Sequence, residues 1–397
     1  MNAIPNARGY RVDNIDMLRG LVIVIMALDH VRDYFMVAAE QDPMANPDVS
    51  IPLFFTRWIT HICAPVFVFL AGTSAGLMMA RKSPSKLGGF LFKRGCWLIV
   101  VEMFVISTAL TFAPGGIEQI EGLVFIPMQV IWAIGASMVV LAGVQFFGRR
   151  VCLFIGIVII VGHNLLDAVW PSTSALSEGA AWWAWLHSQA GYALGPFFFV
   201  SAYPLLPWIG VMLLGFGTAG VFEESPKRRD ALLVTWGIVA TAGFLVLRTI
   251  DVYGDPNAWQ LQESVIRTVI DFLNVTKYPP SLLFLLMTLG PAAILCAFAN
   301  HVPDTIKKPL IIFGKAPFAF YVVHLYLIHT LSVGLGLFQG FNVHQCLTIM
   351  SFYPKGFGLS LPGVYVVWLI IIAMLYPFSK WVASIKARRR DWWLSYI

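Results

Sequence analysis

The stretch "NIDMLRGLVIVIMALDH" (Asn14–His30) reads as a membrane span, yet it carries four ionisable residues: Asp16, Arg19, Asp29 and His30. A charge within a bilayer costs free energy, so such residues mark function or internal pairing. Arg19 and His30 are eleven residues apart. At 100° per residue that is about 1100°, within about 20° of three whole turns, with a rise of about 16 Å. One helical face therefore offers a cation near one end and an imidazole deep in the span. Asp16, three residues before Arg19, shares that stripe and can pair with it. Asp29 lies roughly 100° round the helix from His30 and serves either to polarise it or to hold the fold. Because imidazole titrates near neutrality, the chemistry such a stripe supports is general-base catalysis or proton relay.

Other imidazoles recur in apolar surroundings. His61 lies in "RWITHICAPVFVFLAG", His163 precedes Asn164 and Asp167, and "YVVHLYLIHT" holds His324 and His329. Four spans placing imidazoles in the outer half of the membrane predict a polar cavity there, and the cluster weighs more than any member. Glu102, in "WLIVVEMFVI", and Arg248 are expected as partners in internal ion pairs. "GTSAGLMMA", with small residues at 72, 74, 75 and 76, reads as helix packing. In "TKYPPSLLFLLMTLGP", Tyr278 and Ser281 fall at a helix N-terminus, where N–H groups can hold an oxyanion or carbonyl. No GxSxG, HExxH or P-loop signature stands in a plausible context, and nothing has metal-ligand spacing, so no metal is expected.

The elements that must position these residues follow from composition. Of 397 residues, 58% are hydrophobic and 12% charged, with mean hydropathy +0.75. A soluble domain carries about 25% charged residues, so the chain is expected to be an all-α, polytopic helical membrane protein. The net charge of +6 then reports orientation and excludes neither lipid nor anions, but no motif suggests nucleic acid. With about 20 apolar residues per span, ten spans are predicted near 17–39, 57–80, 95–113, 123–146, 151–170, 195–221, 231–250, 280–300, 309–334 and 361–385. They fill one domain, 1–397. Basic stretches at 81–94, 148–150, 226–230, 306–308 and 386–390 fall on alternate connections, the side of Arg8 and Arg11. That pattern puts both termini in the cytoplasm. The N-terminus lacks an apolar region ending at a small-residue cleavage site, so the first span is expected to be retained. Trp170, Trp182, Trp183, Trp185, Trp392 and Trp393 suit membrane interfaces. The five scattered cysteines read as buried hydrophobes. The segment 251–278, helical in pattern after Pro256, is expected to lie along the interface or cover a cavity.

Asp16-x-x-Arg19-Gly20, followed by ten residues and His30, resembles the opening of the transmembrane acyltransferase superfamily. "RVDNIDMLRGLVIVIMALDHVRDYF" with "APVFVFLAGTSAGL" is more closely similar to the heparan-α-glucosaminide N-acetyltransferase catalytic-domain family. "YPLLPWIGVMLLGFG", "FLNVTKYPPSLLFLLMTLGP" and "HLYLIH" resemble its bacterial branch, so the likeness covers nearly the whole chain. The resemblance implies transfer of an acetyl group from cytoplasmic acetyl-CoA to a sugar- or glycan-like acceptor on the far side. It implies a base at His30 and the family's paired Arg and Asp at Arg19 and Asp16. The chain departs from the lysosomal member, which has Asn at the position of His30 and a histidine in the following outer loop; here loop 40–56 has none. The lysosomal acceptor therefore does not carry over.

On this reading the CoA phosphates meet a basic rim of Arg19, Arg81, Lys82, Lys93 and Arg94, with Asp16 beside it. His30, polarised by Asp29 or another acid, is the base; His61 and His324 place the acceptor or stabilise the oxyanion, with Tyr278, Ser281 and His163 near the acceptor. The expected partners are the bilayer, acetyl-CoA and the acceptor, in a bacterial inner (plasma) membrane, with a homodimer open as the assembly. A proton-coupled transporter using His30, His61 and Asp167 as a relay is the alternative, although the repeated halves and interrupted spans typical of transporters are not evident.

Overall fold

Within lipid every backbone N–H and C=O must be paired inside the protein, which leaves apolar spans little choice but helix. A computed structural model describes residues 13–37, 44, 46, 48–168, 181–389 and 391–395, with the backbone alone at 181–183 and 395. Arg8, Arg11, Trp170 and the Trp182 and Trp183 side chains lie outside the described residues.

The first half comprises α1 (Asp13–Phe35), α2 (Ile51–Thr60), α3 (Cys63–Met79), α4 (Pro84–Val101), a π-helical turn (Glu102–Ile106) running into α5 (Ser107–Thr111), β1 (Val124–Pro127), α6 (Val130–Val144), α7 (Gly148–Gly162) and α8 (Ala181–His187). Next come β2 (Gly191–Leu194), β3 (Phe197–Val200), α9 (Leu205–Thr218), α10 (Pro226–Ile250), α11 (Val265–Leu273) and α12 (Leu282–Ala297). The chain ends with α13 (Asp304–Lys315), α14 (Pro317–Phe338), α15 (Val343–Cys346) and α16 (Leu361–Arg388).

Among the described residues, seven helical runs are long and apolar enough to cross a membrane: Ile51–Met79, Val130–Leu166, Leu205–Glu223, Pro226–Ile250, Leu282–His301, Pro317–Phe338 and Leu361–Arg388. The protein is an all-α polytopic membrane protein. Val130–Leu166 is a hairpin: the chain turns at Gly148, whose φ of 85° favours glycine, so α6 packs on α4 while α7 packs on α9. Large apolar side chains on α7, α10 and α16, such as Phe154, Val239 and Leu369, stand exposed. Water would penalise that belt; lipid does not. Helix α1 is absent from the seven because of its charges, and it sits amid α2, α3, α12, α13, α14 and α16. A charged helix unfit for lipid is thus enclosed by six others.

Several expected boundaries move. The second span begins at Ile51 rather than 57 and is broken at His61–Ile62 between α2 and α3. The basic run 81–94 is not a loop, because α4 starts at Pro84 and carries Lys93 and Arg94 on its third turn. Val124–Pro127 and Phe197–Val200, counted within the starts of spans four and six, form strands instead. β1 pairs parallel with β3, Phe125 opposite Phe198, and β2 pairs antiparallel with β3, Tyr192 opposite Phe199. Four-residue strands are too short to register in a window of about 20 residues. The ninth span is two helices meeting at Ala316. All five cysteines are free, four of them buried.

Glycine sets the closest helix crossing. A Cβ on Gly20 of α1 would stand 1.8 Å from the Leu310 carbonyl oxygen of α13, and one on Gly314 1.8 Å from that of Asp16. Gly72 likewise meets the Met212 carbonyl at 2.1 Å, so the packing role read for the small residues after the second span holds at Gly72 and, against Ala219, at Gly76.

Candidate active site

At the basic end of α1, Arg19 Nη1 donates to Asp16 Oδ1 (3.0 Å) and Nη2 to Ser74 Oγ of α3 (3.2 Å). The helical spacing and the Gly20–Gly314 crossing together fix this guanidinium in the wall of a cavity of about 360 Å³. Arg94, Lys315 and Lys386 join it there. From these cations the cavity runs inward between α4 and α6, past Leu98 and Met138, to Val130, Ile131 and Tyr321. Eight residues of each helix separate its ends, about 12 Å of rise. Of the predicted basic rim, Arg19 and Arg94 line the cavity. Arg81, Lys82 and Lys93 do not: Arg81 and Lys93 are exposed, and Lys82 lies over the Phe90 ring at 4.2 Å. Consecutive residues on α4 diverge by about 100°, so Lys93 and Arg94 face different ways.

Higher on the same face of α1, His30 Nδ1 is 2.7 Å from His324 Nε2 of α14, with the rings stacked at 4.9 Å. His324 Nδ1 faces the carbonyls of Tyr321 (2.5 Å) and Phe320 (3.1 Å). A carbonyl only accepts, so His324 carries its proton on Nδ1 and offers the Nε2 lone pair. His30 must then carry its proton on Nδ1 and donate it to His324. That leaves His30 Nε2 as a free lone pair, and the ring is only partly buried. The tautomer is set by backbone, two residues removed from His30 Nε2.

The sequence leaves Asp29 between polarising His30 and holding the fold, and in the structure its carboxylate faces two arginines. Its carboxylate accepts from Arg57 of α2 and lies 3.2 Å from Arg32 Nη2, a buried pairing that draws α2 against α1. Arg57 in turn lines a second cavity of about 300 Å³ at the opposite end, with His61, Gln189, Asn257, Lys277 and Tyr278. The segment 251–278 covers this cavity. Arg248 holds that segment down by donating to the carbonyls of Asn257 (2.7 Å), Phe272 (3.0 Å), Asn274 (3.1 Å) and Asp271 (3.2 Å), so it serves mainly as a carbonyl clamp and only loosely as an ion pair with Asp251 at 3.6 Å. Glu102 also departs from the expected ion pair: it accepts from Trp132 N (2.9 Å) and caps the N-terminus of α6.

His61 is buried against Phe284 and belongs to the outer cavity, apart from the His30–His324 pair. The helix N-terminus after Tyr278 cannot hold an oxyanion. Ser281 Oγ accepts from Phe284 N and donates to Asp255, while Leu282 N is taken by Asn164 and Leu283 N by Gly254. His163 lies beside His187, which pairs with Asp167 at 2.8 Å, and lines neither cavity. Both nitrogens of His329 face backbone carbonyls, of Ala109 and Cys346.

Arg57, Ser74, Lys277, Lys315, Tyr321 and Lys386 are the residues that sequence reasoning did not single out for the site. Arg57 had a signal, since it precedes His61 by four residues and shares its helical face. Lys315 and Lys386 had only the orientation signal shared by every basic residue at that end.

A bundle of membrane helices with an imidazole pair between a cationic cavity at one end and a mixed polar cavity at the other defines a membrane enzyme or carrier. A model of the family described as "Heparan-alpha-glucosaminide N-acetyltransferase, catalytic" matches residues 11–248, and the chain belongs to that family of membrane acetyltransferases. The match includes Asp16, Arg19, Asp29, His30, Arg57, His61 and Arg94; His324, Tyr321, Lys315 and Lys386 come from the remainder of the chain. No curated protein matches the chain.

Proposed function

We propose that the protein transfers the acetyl group of cytoplasmic acetyl-CoA to a sugar- or glycan-like acceptor reaching it from the far side, with His30 as general base. The observation that carries this reading is the His30–His324 hydrogen bond, at 2.7 Å, between rings that line neither cavity but adjoin residues of both. His30 adjoins Tyr321 of the basic-end cavity; its chain neighbour Asp29 is gripped by Arg57 of the outer one.

Arg19, Arg94, Lys315 and Lys386 would hold the donor's phosphates, and the apolar walls at Leu98, Ile131 and Phe318 would take its extended arm. Charge-assisted contacts of this kind are the strong ones. The acceptor would lie among Arg57, Lys277, His61 and Tyr278. His30 Nε2 takes the acceptor's proton as it attacks the thioester carbon. The imidazolium so formed keeps its Nδ1–H bond to His324, which disperses the charge in a site removed from bulk water.

The test is direct: full-length protein in lipid nanodiscs should bind acetyl-CoA and release CoA in the presence of acceptor, and His30→Ala should lower turnover by about 10²–10⁴-fold while retaining CoA binding. Cavities at opposite ends flanking a titratable pair are also what a proton-coupled transporter needs. Protein that neither binds CoA nor depends on His30 for turnover returns that second reading.

A further inference from the structure

Tyr321 stands on α14 three residues before His324 and is 4% exposed. Its hydroxyl has no hydrogen-bond partner among the described residues, although it helps to line the basic-end cavity. A buried hydroxyl left unpaired costs about 1–3 kcal/mol, so such a group is expected where something else arrives to meet it. The ring stands edge-on to His30, with centroids 6.2 Å apart and planes at 70°, and 5.4 Å from the His324 ring. Its own backbone carbonyl holds His324 Nδ1 at 2.5 Å. One residue thus fixes the tautomer of the imidazole pair through its main chain and holds a buried, unpaired phenolic hydroxyl beside the cavity that it helps to line.

Other donors around this cavity are placed differently. Arg19, Arg94, Lys315 and Lys386 cluster at its basic end, and Ser74 Oγ already donates to the Leu70 carbonyl at 2.7 Å. We propose that Tyr321 is the oxyanion donor of the reaction, its Oη–H bonding to the carbonyl oxygen of the acetyl thioester as negative charge builds there. This rests on the acetyl-transfer reading above.

The step balances without any further reactant. The acceptor's nitrogen or oxygen lone pair forms the new bond to the carbonyl carbon, and its proton passes to His30 Nε2. The carbonyl π pair moves onto oxygen, where Tyr321 donates. Collapse of the tetrahedral intermediate returns that pair, breaks the C–S bond and expels the CoA thiolate, which takes the proton back from His30. The Tyr321 proton stays on Tyr321 throughout.

The experiment uses full-length protein in nanodiscs with acetyl-CoA labelled with carbon-13 at the carbonyl. Tyr321→Phe should lower kcat about 10²–10³-fold, the usual loss for one oxyanion donor, and leave acetyl-CoA affinity nearly unchanged. In the infrared difference spectrum the bound carbonyl band, shifted down in the wild type by the phenolic donor, should return to the position of free acetyl-CoA. Should Tyr321→Phe fail to fold, 3-fluorotyrosine placed at 321 keeps the test, because a more acidic phenol donates more strongly and should move the band further down. Wild-type protein that transfers acetyl while Tyr321→Phe keeps both kcat and band position, or a band indifferent to fluorination, overturns the role of Tyr321 alone. Wild-type protein that binds no acetyl-CoA overturns the acetyl-transfer reading together with it.

Discussion

His30 Nδ1 and His324 Nε2 stand 2.7 Å apart although 294 residues separate them in sequence. The direction of that bond follows from the Tyr321 carbonyl behind His324. If His30 Nε2 is the base, His30→Ala should lower kcat by about 10²–10⁴-fold, the range for general-base catalysis. His324→Ala should cost less, because it removes only the group that orients His30 and shares its charge. The double variant should be no slower than His30→Ala alone, since residues acting as a unit are not additive. Steady-state kinetics on the three proteins checks this; additive losses would show two independent sites.

The cavity assigns the donor's anionic groups to particular cations, and to fewer than the basic sequence offers. Arg94→Gln and Lys315→Gln should each weaken acetyl-CoA binding by about ten- to a hundredfold, as expected for a charge-assisted contact worth about 1.5–3 kcal/mol. Lys82→Gln and Lys93→Gln should leave it unaltered, because neither side chain lines the cavity. Calorimetric titration at two salt concentrations separates specific contact from general attraction, which salt screens.

Much of this arrangement is legible in the chain itself. Helical geometry puts Arg19 and His30 on one face, and the structure keeps both there, with Asp16 on Arg19 at 3.0 Å. Hydropathy gives the spans but misplaces their ends wherever a charged or aromatic segment folds locally: Lys93 rides on helix, and Phe197–Val200 pairs as a strand. What spacing along one helix does not reveal is which side chain of a distant helix will meet it. His324 was visible as a buried imidazole, but not as the partner of His30. Arg57 was not visible as the partner of Asp29, because that contact depends on how α2 leans on α1. Tyr321 was hidden for a different reason: tyrosine in an apolar helix is ordinary, and only an unpaired hydroxyl at a cavity wall distinguishes it.

Asp29 sits 13% exposed between Arg57 and Arg32. Removing one partner from a buried ion pair leaves charge uncompensated, at about 3–5 kcal/mol. Asp29→Ala should therefore lower the thermal unfolding midpoint in detergent markedly. Arg57→Ala combined with it should recover only part of the loss, since Arg32 still faces the gap. Asp29→Ala protein that unfolds at the wild-type temperature but loses activity would instead make Asp29 part of the chemistry.

The crossing of α1 and α13 gives the most stringent test of how the fold positions the site. A methyl group on Gly314 would lie 1.8 Å from the Asp16 carbonyl oxygen, and backbone cannot yield as a flexible side chain can. Gly314→Ala must push α13 away from α1. Asp16 holds Arg19, Lys315 follows Gly314 directly, and α14 with Tyr321 and His324 starts at Pro317. One added carbon should therefore disturb the donor cavity and the imidazole pair together, raising KM for acetyl-CoA and lowering kcat, with a stability loss of about 1–3 kcal/mol for overpacking. Gly334→Ala on α14 is the matched control: nothing lies within 4 Å of its new methyl group, and alanine is the better helix former by about 1 kcal/mol. Kinetics and thermal midpoints of the two variants should move in opposite directions or, for Gly334→Ala, hardly at all. Equal damage from both would mean that glycine serves helix flexibility in this bundle, and that the close α1–α13 contact does not hold Arg19 in place.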